Sequence, residues 1–439
     1  MHIKRFLIGL IAVSLAIFCF VPNAWAFCGF YVSKADAKLY NKASQVVIAR
    51  DGDRTVLTMA NDYQGNVKDF ALVVPVPVVL KQEQVRVGES KVIERLDAFS
   101  APRLVEYFDE DPCATNYLND GVFRSAAPAS PVAQESARNR SDRALGVTVE
   151  SQFTVGEYDI VVLSAKESNG LETWLNRNGY KITKGAKQLL QPYIRQKMKF
   201  FVAKVNLTEF DKSGYERLRP LKMAFESKKF MLPIRLGMIN STSEQDLIVY
   251  VLSPKGQAEI TNYRTVNIPS DTEIPLFVKE EFGDFYKSMF KKSYTQEDKK
   301  VAFLEYAWNM SSCDPCSAEP LNDEELRQAG VFWTDSPANG NVFLTRLHVR
   351  YTRDKFPEDL MFQETANNQF FQGRYVLRHA FKGEAKCEAG KQYQRSLPRR
   401  FEQESQTLAK LTGWNIQDIR KKNNLPESQS IPWWRKLWF

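Results

Sequence analysis

The feature that most constrains this chain is residues 44–77, SQVVIARDGDRTVLTMANDYQGNVKDFALVVPVP. Val, Ile, Thr and Leu fill three segments, Gln45–Arg50, Thr55–Asn61 and Phe70–Val76, and residues of this type fit a pleated sheet surface. Asp51-Gly52 marks the first reversal, where a positive φ must be tolerated. The third segment runs Ala71, Leu72, Val73, Val74 without alternation, the pattern of a strand buried on both faces. Pro75 and Pro77 then end the pairing, since neither can donate a ladder hydrogen bond. No residue in the stretch carries reactive chemistry.

The remainder mixes the two periodicities. Helical spacing marks Glu89–Phe99 (Val92, Ile93, Leu96, Phe99), Leu171–Asn178 stopping at Gly179, Ala186–Lys197 and Val278–Lys292. Asp323–Gln328 reads as a helix capped by Asn322 and stopped at Gly330, and Phe401–Leu411 and Ile416–Lys422 as helices divided by Gly413. Strands are expected at Leu145–Val155, Tyr158–Ser164, Lys199–Asn206, Lys300–Trp308, Val342–Tyr351 and Arg374–Phe381, with Arg103–Phe108 ambiguous between helix and strand. Ala258–Ile268 is expected to pair with Leu247–Leu252 across Pro254-Lys-Gly256. Strands and helices without regular alternation predict an α+β fold, mainly antiparallel sheet with flanking helices. Leu57-x-Met59-x-Asn61 followed by Asp69–Pro77 is echoed by Leu236-x-Met238-x-Asn240 followed by Asp246–Pro254. Either a duplicated β unit or a shared strand grammar explains the echo. Residues 125–143 lack aromatics and hold one branched apolar residue, Val132, so they read as a mobile loop. The chain therefore divides into a first β-rich half (27–120), that loop (121–144), a second half (145–395) and a basic helical region (396–439).

The opening residues decide the compartment. Lys4 and Arg5, the apolar run Phe6–Phe20 and Ala24-Trp25-Ala26 have the order of an export signal with its cleavage site; an uncleaved N-terminal anchor is the alternative. A mature, soluble protein beginning at Phe27 is expected in the periplasm or outside the cell, with no later membrane-spanning stretch. It keeps five cysteines, Cys28, Cys113, Cys313, Cys316 and Cys387. In an oxidising compartment their default fate is disulfides, with one thiol left over. The formal charge of +8 is uneven: residues 378–439 carry 13 Lys/Arg against 6 Asp/Glu, so the preceding body is near neutral.

The runs CGFYVSKADAKLYNKASQVVIARDG, TVLTMANDYQGNVKDFALVVPVP, TNYRTVNIPSD, LEYAWNMSSCDPCSAEPL, TRLHVRYTRDKFPEDLMFQ and LTGWNIQDIR carry a resemblance. The chain resembles the exported bacterial family called domain of unknown function 2330, over roughly residues 27–425. The resemblance implies export and an unassigned activity, and it supplies no catalytic residues. Two departures are that some members end in a membrane segment, and that residues 125–143 look like an insertion.

Four groups of residues carry candidate chemistry. Cys313-Asp314-Pro315-Cys316 has the spacing of a thiol–disulfide redox pair. The next helix begins too late, near Asp323, to place Cys313 at a helix N-terminus. A structural disulfide, with Cys387 the nearest partner in sequence, and a metal site are the other readings; Cys28 with Cys113 is the second expected bridge. His348 shares a strand face with Arg346 and Arg350, a row that fits a carboxylate or phosphate, or else a solvated or acid-paired face. His379, beside Tyr375, Leu377 and Phe381, reads as a hydrogen-bonded core histidine; no metal site and no cofactor are expected. Trp433, Trp434, Trp438 and Phe439 interleave with Arg435 and Lys436. Such a tail suits an anionic membrane surface or an envelope protein, or docks on the body of the chain. Export argues against nucleic acid. No Gly-x-Ser-x-Gly elbow or P-loop occurs. The expectation is a non-catalytic binding, scaffolding or peripheral membrane-associated envelope protein, with a thiol–disulfide oxidoreductase as the rival.

Overall fold

The computed structural model describes residues 44–60, 71–114, 146–178, 186–215, 218–239, 244–312, 318–334 and 340–423, and the backbone of the two-residue strands at 30–31, 40–41 and 63–64. Its centre is a nine-stranded sheet. Ser44–Asp51 (β1) and Arg54–Met59 (β2) form the expected hairpin, with Gly52 at φ 58° in the turn. β2 continues to Leu221–Glu226 (β9) and the three-residue edge strand Val85–Val87 (β4). On the other side β1 pairs in parallel with Gln245–Ser253 (β10). β10 leads antiparallel to Phe343–Tyr351 (β14) and Val301–Asn309 (β13), and Arg264–Asn267 (β12) closes the row in parallel with β13. Phe371–Gln372 pairs antiparallel with β13 beside this path.

The doubly buried strand Ala71–Val76 (β3) is not the third strand of this sheet. It belongs to a second sheet with Lys199–Val205 (β8), Tyr158–Ala165 (β7) and Val147–Val155 (β6), all antiparallel. Strand alternation then dictates the layers. Leu72, Val74, Val76, Ile160, Val162, Phe201 and Ala203 face Val46, Ile48, Leu57, Met59, Val249, Leu347 and Val349 of the large sheet, forming the main core. Val73, Leu163, Phe200 and Val202 point outward under the helices Ser168–Arg177 (α2) and Ala186–Arg195 (α3). The far face of the large sheet is covered at one end by Ser90–Ser100 (α1) and Asp323–Gln328 (α6). Phe282–Gln296 (α5), Glu388–Thr412 (α7) and Ile416–Lys422 (α8) cover the other end. The result is four layers, helix, sheet, sheet, helix, and it is α+β with mostly antiparallel pairing, as expected.

The remaining described elements are small. Leu207–Ser213 (α4), Ala258–Ile260 (β11), Leu360–Glu364 (β15), and Arg374–His379 (β16) lying parallel to Arg103–Phe108 (β5) complete them. Three expectations are corrected here. β11 pairs with β15 and not with β10, because both edges of β10 are taken by β1 and β14. The proposed repeat fails as well. Leu236 and Met238 lie in a 3-10 turn, Arg235–Ile239, whereas Leu57 and Met59 lie in a strand. Finally, α7 begins at Glu388, 13 residues earlier than its apolar spacing indicated, and carries Pro398 inside it.

Candidate functional site

Along the far face of the large sheet, between the two helix-covered apolar clusters, runs a stripe of charge. It is built by three strands, β10 and β14 with their even positions and β13 with position 305. Asp246 and Tyr250 come from β10, and Arg346, His348 and Arg350 from β14 in register opposite them: Arg350 faces Asp246, His348 faces Ile248, and Arg346 faces Tyr250. The third strand, β13, contributes Glu305. The register of β13 against β14 shifts between Leu304 and Tyr306, so Glu305 is the extra residue of a β-bulge. The bulge lets Glu305 and Tyr306 both serve the far face while Leu304 and Ala307 stay in the main core.

The geometry is a chain of pairs. Arg350 forks onto Asp246, Nε to Oδ1 at 2.8 Å and Nη2 to Oδ2 at 2.9 Å. His348 lies 2.9 Å from Asp246 Oδ1 through Nε2 and 2.8 Å from Glu305 Oε1 through Nδ1. Its ring stacks on Phe290 of α5 with centroids 3.9 Å apart. Arg346 Nε donates to Glu305 Oε2 at 2.6 Å, and Nη1 donates to Asp97 Oδ1 of α1 at 2.7 Å. Tyr250 donates its hydroxyl to the same Asp97 oxygen at 2.7 Å and accepts from Gln45 Nε2 at 3.0 Å. Tyr286 of α5 donates to Glu305 Oε1. Glu305 is 1 % exposed, Arg346 6 % and His348 8 %.

Burial acts against the charges of Asp246, Glu305, Arg346, His348 and Arg350, and pairing reverses it. Desolvation alone would raise the Glu305 carboxyl, but the His348 and Arg346 charges and the hydrogen bonds outweigh it and bring it to about 2. Asp246 is driven well below the carboxylate range by His348 and Arg350 despite its burial. Burial would lower His348, yet Glu305 and Asp246 raise it above the usual imidazole value. With a carboxylate at each ring nitrogen, both nitrogens donate in the charged form, which is the state this geometry selects.

Of the two readings of the row Arg346/His348/Arg350, an anion-binding face or a solvated or acid-paired one, the described residues show acid pairing. Its partners are the protein's own carboxylates, supplied by neighbouring strands and by α1. Sequence reading missed Glu305, Asp246 and Asp97 as members. The signal for Glu305 was present, a single acid inside the apolar run VAFLEYAW. His379 is likewise acid-paired, 2.8 Å from Glu106 Oε2, and stacks on Phe108.

The cysteine expectations are corrected as well. Cys113 is bonded to Cys387, with Cα atoms 5.9 Å apart across a sequence separation of 274. This replaces both the Cys28–Cys113 bridge and a bridge from Cys387 to Cys313 or Cys316. Strand β5 and the start of α7 meet because β5 pairs with β16, so the segments that follow each are delivered to one corner. Cys28, Cys313, Cys316 and the tail residues Trp433, Trp434, Arg435, Lys436, Trp438 and Phe439 lie outside the described residues, as does the 125–143 loop.

Among the described residues no group of three or more His, Cys, Asp or Glu side chains is placed to hold a metal ion, and no helix is long and apolar enough to cross a membrane. Two open grooves lie elsewhere. One of about 540 Å³ runs along β2 and β9, lined by Arg54, Val56, Val79, Ala224, Glu226 and Phe332. The other, about 620 Å³, lies between α5 and α8. The ionic stripe lines neither. In comparison with known proteins, residues 22–363 match a family described as "Uncharacterized protein conserved in bacteria (DUF2330)". No curated protein and no solved structure matches.

Proposed function

The chain belongs to the DUF2330 family of bacterial proteins, and from that premise we propose that it is an exported, non-catalytic binding or scaffolding protein of the cell envelope. The observation that carries this reading is the closure of the ionic stripe. Clusters with strongly perturbed ionisation are the usual places to seek catalytic acids and bases. A working site, however, keeps a vacancy within about 3 Å of its acid, base or nucleophile for a reacting atom. Here Asp246, His348, Glu305 and Arg346 direct their hydrogen bonds to one another beneath α5, and Asp97 of α1 reaches Arg346 from its half-exposed position. The stripe ties three strands and two helices together, as a scaffold needs. The Cys113–Cys387 bond supports export, since such bonds persist in oxidising compartments.

The test pairs localisation with thiol chemistry. The reading expects a mature protein beginning at Phe27 in the envelope fraction, with no glutathione-driven reduction of insulin disulfides. A cytosolic precursor with reduced cysteines, or disulfide turnover that disappears in Cys313→Ser, contradicts it.

A further inference from the structure

A third pocket, smaller than the two grooves, opens on the outer side of the second sheet, across both sheets from the ionic stripe. It encloses about 280 Å³. Antiparallel register builds its floor from two rows that cross β6, β7 and β8. One row is Gln152, Val161 and Val202, and the next is Thr154, Asp159 and Lys204. Strand alternation turns Phe153, between them, toward the main core. The wall is the end of α2, where Trp174 and the following Asn178 line the space. Asn178 gives one amide hydrogen to the Trp174 carbonyl at 2.8 Å, which fixes it there. The floor thus lays an apolar strip, Val161 and Val202 against Trp174, beside a polar one. In the polar strip Thr154 Oγ1 donates to Asp159 Oδ1 at 2.9 Å, and Asn206 Nδ2 donates to the same oxygen at 3.3 Å. Among the described residues Oδ2 has only longer contacts, 3.5 Å to Asn206 Nδ2 and 3.8 Å to Lys204 Nζ. A carboxylate offers about four acceptor sites, so Oδ2 can still accept. The Trp174 indole and the Gln152 amide have no hydrogen-bond partner among the described residues.

We infer that this pocket binds one pyranose ring of a neutral sugar. Pockets for small ligands run from about 300 Å³ upward, so this one has room for a single ring. The charged side chains that line it are Asp159 and Lys204, adjacent and opposite in sign. A phosphate would meet one cation already beside a carboxylate, and an ammonium ligand would meet Lys204, so a neutral ligand fits best. A pyranose carries axial C–H groups on its ring faces and hydroxyls around its rim. It therefore needs an apolar surface beside groups that both donate and accept. Trp174 with Val161 and Val202 supplies the surface. Asp159 Oδ2 accepts from a hydroxyl, Lys204 Nζ donates to one, and the amides of Gln152 and Asn178 do both. The inference goes beyond the envelope reading. Absence of sugar binding leaves the localisation test standing, and a cytosolic precursor leaves the pocket standing.

The experiment titrates the purified protein with glucose, galactose, mannose and N-acetylglucosamine, following the indole N–H signal of Trp174 by NMR and the heat by calorimetry. The inference expects at least one of them to saturate in the micromolar to low millimolar range and to move the Trp174 signal. Sorbitol, an open-chain polyol with no ring face and more freedom to lose, should bind about tenfold more weakly or worse. Asp159→Asn keeps the shape and removes the charged acceptor, so it should weaken the sugar about tenfold. Gln152→Ala, an exposed change that leaves the fold alone, should weaken it severalfold. The methyl glycoside of the bound sugar separates two sources: retained binding assigns the end of a glycan chain, and lost binding assigns a free monosaccharide. No saturation by any of the four sugars, a Trp174 signal that stays in place, or sorbitol binding as tightly as the ring overturns the inference. So does binding unchanged in both variants, or tighter binding of inorganic phosphate or spermidine at these residues.

Discussion

At the residue scale, His348 is the hinge of the account. Its ring is shared between Glu305 and Asp246 at 2.8 and 2.9 Å. Because its folded value is raised above 6.5, its contribution to stability is complete below the unfolded value and is lost as pH rises through the folded one. Glu305 has the opposite sign. Its folded value of about 2 lies below the unfolded 4.5, so its contribution is complete above 4.5 and is lost as pH falls toward 2. Denaturant midpoints are therefore expected to fall on both sides of a plateau, and the alkaline loss should vanish in His348→Gln. Removing one member of a buried pair leaves its partners uncompensated, so Glu305→Gln should cost about 3–5 kcal/mol by chemical denaturation. Glu404 in α7 behaves differently. Burial pushes its carboxyl up to about 7, with Arg400 at 3.5 Å offsetting only part of the cost. It opposes folding increasingly as pH rises from 4.5 through 7. Glu404→Gln should raise the melting temperature at pH 8 and leave it nearly unchanged at pH 4; a gain at both pH values contradicts the assignment.

At the element scale, two devices hold the layers together. The bulge in β13 turns an acid onto the helical face without disturbing the main core. The Cys113–Cys387 bond pins the start of α7 beside the end of β5. The loop it closes is long enough for a contribution of roughly 5 kcal/mol by chain entropy. Cys387→Ala should lower stability on that order and speed exchange first at 388–400, where α7 buries little; an unchanged midpoint would argue that the bond contributes nothing. These elements also show where sequence reading works. The strands β1, β2, β3, β10 and β14 were legible because branched apolar residues fill them, and α6 because Asn322 and Glu325 form a capping box. Pairing was not legible. β3 follows β2 in sequence yet enters the other sheet, and β10 finds β1 across nearly two hundred residues in parallel. The first part of α7 was missed because it is mostly polar, with only Ala389, Tyr393 and Leu397 as scattered apolar side chains, and is interrupted by Pro398, so no apolar stripe marks it. The row Arg346/His348/Arg350 was visible as a face, but its meaning depended on acids from β10, β13 and α1, which only tertiary structure brings within 3 Å.

At the scale of the whole molecule, a main core lies between the two sheets and separate apolar clusters lie under the helices, and the charged stripe crosses the far face of the large sheet between two of those clusters. Inorganic phosphate or citrate should not raise the melting temperature, since the stripe's cations already hold carboxylates; an anion-dependent rise abolished by Arg346→Ala with Arg350→Ala would reopen a receptor role. The claim on which the rest depends is that this stripe is a self-satisfied structural layer with a charged histidine at its centre. The chain has three histidines, so the ring of His348 can be assigned by nitrogen-15 NMR and titrated directly. The account predicts a midpoint above 6.5 with both ring nitrogens protonated below it, and a downward shift in Glu305→Gln. A midpoint at or below 6.5, unmoved by Glu305→Gln, would contradict it.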